Sequence, residues 1–165
     1  ILYIAKRVIE QKGERVYTYT RDRIRWHREH GHRVIAISGS PVELVREMSE
    51  KYGMDDYRGT VYKVGPDGRY SGEIIPMWDS ESKQCAVLQM AKQYGIDLSE
   101  SYAYGDTNGD FAMMKLVGHP VAVNPTRELL AHIQKDDDLR KKIVVIVERK
   151  DVIYRLNTET LELAD

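Results

Sequence analysis

Short apolar runs alternate with helical segments along most of this chain, and that alternation constrains the fold more than any other feature. Arg33–Ser38, Tyr102–Tyr104, Pro120–Val123 and Ile143–Val147 read as strands. Helices are expected over Ile1 to about Lys12, Arg21–His30, Ser40 to about Tyr52, Ser82–Tyr94 and Gly109–Val117, with another started by Asn124-Pro125. Gly13, Gly31, Gly53 and Gly95 stand where helices should stop. Ser40-Pro41-Val42-Glu43 has the order of a capping box, with serine at the N-cap, proline at N1 and glutamate at N3. Thr60–Val64 and Arg69–Ile74 flank Gly65-Pro66-Asp67-Gly68, a hairpin signal, and Val152–Leu156 follows a turn near Lys150-Asp151. The whole predicts an open, mostly parallel α/β sheet flanked by helices, with a small β-hairpin insertion. In such sheets ligands bind at the carboxyl ends of strands.

Composition removes several classes of function. The net charge of −1 gives no general pull toward nucleic acid or anionic membrane. No basic stripe accompanies Trp26 and Trp78, which read as packing or cap contacts. No apolar run approaches the ~18 residues of a membrane-spanning helix. Cys85 is the only cysteine, so no internal disulfide can form, which fits a reducing, cytoplasmic compartment. His27, His30 and His32 cluster near a helix end, where histidine complements the dipole. The acidic run Asp136-Asp137-Asp138 reads as a solvated helix end.

Three polar features fall at strand ends or helix starts. Ser38-Gly39-Ser40 ends a strand, where the Ser38 hydroxyl and free helix-terminal amides suit an anion. Lys83 lies in a first helical turn, against the helix dipole, and a bound anion would compensate for that placement. Asp106 follows a strand directly, and Asp110 comes one helical turn later on the same face. Two carboxylates with waters and a phosphate oxygen suit magnesium. A calcium loop is excluded, because its sixth position would be Phe111 and its twelfth Val117, where glycine and glutamate are required. Helix capping is the alternative for the aspartates. An anion loop, a lysine and paired acids are together what phosphate chemistry on magnesium requires.

The order Ser38, Lys83, Gly105-Asp106-x-x-x-Asp110 resembles motifs II, III and IV of the haloacid dehalogenase (HAD) superfamily, and within it the phosphoserine-phosphatase-like subfamily IB. "HRVIAISGSP", "YAYGDTNGDFAMM", "VGHPVAVNP" and the Lys83-to-Asp106 interval of 23 residues carry the likeness, over roughly Val16 to Asn124. The resemblance implies a Rossmann-like core and a magnesium-dependent phosphatase acting on a small phosphorylated metabolite. An aspartate attacks phosphorus, an aspartyl-phosphate forms, and water hydrolyses it. Ser38 would then bond a phosphoryl oxygen, the Gly39 amide would donate to phosphate, and Lys83 would pair with phosphate and nucleophile. Asp106 would bind magnesium, and Asp110 would hold a metal-bound water or the lysine. Asn108 and Ser40 are further candidates.

The pattern departs from the family in two ways. Motif I, Asp-x-Asp-x-Thr/Val at the end of an apolar strand, is absent, because the only Asp-x-Asp is Asp136-Asp137-Asp138. Residues 1–16 resemble the tail of a helical cap, and 17–165 a core lacking its nucleophile strand. The family sets that strand between those of motifs II and IV, so a missing segment supplied elsewhere, or a longer protein, is expected; the 165 residues alone should be inactive. Ser40 also stands where phosphoserine phosphatases usually carry a second glycine, so another small phosphomonoester is as plausible a substrate as phosphoserine. A non-catalytic HAD-like phosphate- or magnesium-binding or interaction domain is the alternative. A nucleotide-binding doubly wound protein is disfavoured by the lack of Gly-x-Gly-x-x-Gly.

Overall fold

The computed structural model describes residues 2–159 and 161 and divides into two compact units, Ile1–Trp78 and Asp79–Asp165. The first holds helices α1 (Leu2–Lys12), α2 (Thr18–Glu29) and α3 (Val42–Tyr52), and strands β1 (Ile35–Pro41), β2 (Asp56–Val64) and β3 (Tyr70–Ile75). Its sheet runs β1-β2-β3, parallel then antiparallel. The second holds α4 (Ser80–Tyr94), α5 (Phe111–Leu116), α6 (Arg127–Lys135) and α7 (Asp137–Lys142), with β4 (Tyr102–Gly105), β5 (His119–Val123), β6 (Val144–Arg149) and β7 (Val152–Asn157). Its sheet runs β4-β5-β6-β7, parallel except for the β6–β7 hairpin. The expected elements are present, and the described strands pair as two sheets. Each sheet ends on a parallel strand, β1 or β4, whose outer edge pairs with no described strand.

Two expected helix caps do not form. Ser40 does not cap α3, which begins at Val42 after Pro41 with no side-chain cap. The sheet competes for this segment, since Pro41 still pairs with Thr60 of β2. Likewise Asn124-Pro125 does not start α6. Asn124 adopts φ 46°, and its Oδ1 accepts from the Glu148 amide at 2.9 Å, so its side chain joins β5 to β6. Asparagine tolerates this left-handed conformation. Thr126 caps α6 instead, accepting from the Leu129 amide. Asp136 accepts from the Leu139 amide and opens α7.

The second unit's core is Met114, Ala122, Leu129, Ile133, Leu139, Ile143 and Val145. Buried parallel strands read as continuous apolar runs rather than alternating ones, as Pro120–Val123 does. Gly118 is required by packing, because a Cβ there would lie 1.7 Å from the Ser99 carbonyl oxygen. In the first unit α1 packs on α3, burying Ala5 and Val45. Gly53 caps α3 at φ 63°, a left-handed conformation open to glycine at little cost.

The three clustered histidines are tied locally. His27 is buried, with its Nδ1 2.9 Å from the His32 Nδ1, while the His30 Nδ1 bonds the Trp26 carbonyl at 2.7 Å. Burial, then the charges of Arg23, His32 and His30, lowers the His27 pKa from 6.5 to about 4. The unfolded chain therefore takes up this proton near pH 6.5, while the folded chain resists it until about 4. Stability should fall as pH drops across that window. Urea midpoints measured between about pH 7 and 4.5 should show this slope, and His27→Gln should flatten it.

Candidate functional site

In the first unit the ladder between β1 and β2 is interrupted at Ser38-Gly39-Ser40. Ile37 pairs with Arg58 and Pro41 with Thr60, so β1 advances four residues while β2 advances two. The three residues bulge from the carboxyl end of a parallel strand, a common device beside binding sites. Ser38 Oγ accepts from the Ser40 amide at 3.2 Å. Thr60, fully buried, fixes the bulge: its Oγ1 donates to the Gly39 carbonyl at 2.8 Å and accepts from the Met77 amide at 3.3 Å.

In the second unit Asp79 caps α4, accepting from the Ser82 amide at 2.8 Å. That start puts Lys83 in the opening turns of α4, facing inward and only 7% exposed. Its Nζ donates to Asp110 Oδ1 at 2.6 Å. Asp110, 4% exposed, lies in a 3-10 turn, Asn108–Asp110, between β4 and α5. Its Oδ2 accepts from the amides of Asp106 and Thr107, both at 3.1 Å, and from Thr107 Oγ1 at 3.2 Å. Thr107 and Asp110 thus form a capping box around the turn. Gly105 is required here, because a Cβ would lie 2.5 Å from the Asp110 side chain.

Asp106 is exposed at the end of β4. Desolvation by the surrounding protein, then repulsion from Asp110, raises its carboxyl pKa, while Lys83 opposes both. A carboxylate disfavoured in this way is suited to a cation. Among the described residues no three His, Cys, Asp or Glu side chains cluster as a metal site. Magnesium usually needs only one or two protein carboxylates, with waters and phosphate completing its shell. Asp106 fits that requirement. Asp110 is largely committed to Lys83 and to the loop, and the remaining lone pair on Oδ1 suits a bound water. Asn108 Oδ1 accepts from His132 Nδ1 on α6 at 2.8 Å.

Thr60, Thr107 and His132 had no site role in the sequence reading. Only Thr107 carried a legible signal, in the Thr107-x-x-Asp110 box. Replacing Lys83 would leave the Asp110 charge buried without its cation, a loss of about 3–5 kcal/mol. Lys83→Met should lower the unfolding free energy by that order in urea titrations at neutral pH. Adding Asp110→Asn should recover part of the loss.

A family model described as haloacid dehalogenase-like hydrolase matches residues 3–115. A Streptomyces azureus "inhibition of morphological differentiation protein" is 36% identical over 114 residues, 69% of this chain and 41% of that protein. A phosphoserine phosphatase of Mycobacterium tuberculosis is 30% identical over 118 residues, 71% of this chain and 38% of that protein. The chain therefore spans about two fifths of the length of these relatives. A phosphoserine phosphatase crystal structure in apo form superposes with TM-score 0.62 at 25% identity, covering 79% of this chain and 60% of that one. With its Gly-Asp-x-x-x-Asp turn and buried lysine, the chain belongs to the haloacid dehalogenase-like hydrolase family.

Proposed function

We propose that this protein is a magnesium-dependent phosphatase hydrolysing a small, phosphoserine-like phosphomonoester through an aspartyl-phosphate. The observation that carries the reading is the Asp106–Asp110 turn, where Asp110 locks Lys83 and Asp106 is left as the carboxylate under electrostatic stress. The relationship to a phosphoserine phosphatase supports the choice of chemistry.

Ser38 and the Gly39 amide bond phosphoryl oxygens, and the bulge of β1 supports that role. Lys83 neutralises phosphate charge while Asp110 holds its Nζ. Asp106 would hold magnesium, which when bound supplies further neutralisation of the phosphoryl oxygens. The Asp-x-Asp-x-Thr/Val pattern that would carry the nucleophile in this reading does not occur in this sequence.

Phosphorus-31 NMR tests the binding half. With the 165-residue chain, magnesium should perturb the inorganic phosphate resonance. Ser38→Ala and Asp106→Asn should each weaken the effect by about tenfold or more, a loss on the scale of a charge-assisted hydrogen bond. The chain alone should leave para-nitrophenyl phosphate intact. Hydrolysis that depends on Asp106 would place the nucleophile among these residues and overturn that part. No phosphate perturbation at all would overturn the whole reading.

A further inference from the structure

We propose that Trp78 is a substrate-contacting specificity residue, and that its indole favours phosphomonoesters whose leaving group carries a planar ring. The inference rests on phosphate binding at Ser38-Gly39 and extends that reading to the leaving group. It concerns the first unit alone.

Trp78 lies directly against the anion loop. A Cβ built on Gly39 would be 2.9 Å from the Trp78 Cβ and 3.2 Å from its Cα, so only glycine admits this approach. The contact is also tied down. Thr60 Oγ1 accepts from the Met77 amide and donates to the Gly39 carbonyl, so one buried hydroxyl links the residue before Trp78 to the loop. The approach is thus built into the fold rather than a chance of an exposed side chain.

Trp78 nevertheless remains 50% exposed. No ring or cation among the described residues stacks on it. A phosphoryl group held by Ser38 and Gly39 would carry its ester oxygen and first leaving-group atoms into this neighbourhood. A flat apolar ring there gains stacking that a short aliphatic group cannot.

Phosphonates test this without turnover, because their carbon–phosphorus bond resists hydrolysis. Inorganic phosphate, methylphosphonate and phenylphosphonate would each be titrated calorimetrically into the chain with magnesium. Phenylphosphonate should bind about five- to tenfold more tightly than methylphosphonate, the range expected for one aromatic pair. Trp78→Ala should bring the ratio close to one, whereas Trp78→Phe should keep most of the preference. Circular dichroism would confirm that both variants are folded. Phosphate binding without a phenyl preference, or with one that survives Trp78→Ala, overturns the assignment of Trp78 alone. A failure of all three ligands to bind overturns the phosphate reading, and this inference with it.

Discussion

The ion pair between Lys83 and Asp110 is the interaction on which the second unit's candidate site depends. Both groups are buried, so each would be costly alone. The pair is tolerable because Asp110 is also bonded by two amides and a hydroxyl, which satisfies its second oxygen. One side chain therefore does two things at once. It anchors α4 through Lys83, and it closes the turn that follows β4. The backbone amide of Asp106 is held by that turn, and its carboxyl is set beside the Asp110 charge.

That arrangement separates the roles of two aspartates that look equivalent in the sequence. Their spacing suggested one shared helical face. The chain instead makes a 3-10 turn at Asn108–Asp110, and Asp110 points inward to the lysine while Asp106 stays exposed. A phosphate site needs both kinds of group. A cation must be fixed before ligand arrives, and a carboxylate must remain able to take a metal. Burial supplies the first condition and exposure the second.

Much of the fold was legible because its signals are local. The hairpin around Gly65-Pro66-Asp67-Gly68, the glycine stop at Gly53 and the apolar run ending at Val123 each depend on adjacent residues. The failures are places where a distant partner competes with a local preference. Ser40 and Pro41 carry the letters of a helix cap, yet β2 keeps Pro41 in the ladder. Asn124 has the letters of a helix start, yet β6 claims its side chain. The supports of the Ser38-Gly39-Ser40 bulge were hidden for the same reason, since Thr60 and Trp78 lie 21 and 39 residues beyond Gly39 in the chain. Nothing in a single sequence announces that they meet it.

The central claim is that Asp106 receives magnesium while Asp110 keeps the lysine. Carbon-13 NMR of the aspartate carboxyl groups during a magnesium titration tests it most directly. The account predicts a saturable shift at the Asp106 carboxyl carbon, with Asp110 moving little and Lys83 remaining bound to it. A shift centred on Asp110 with release of Lys83, or no shift at either residue, would contradict it.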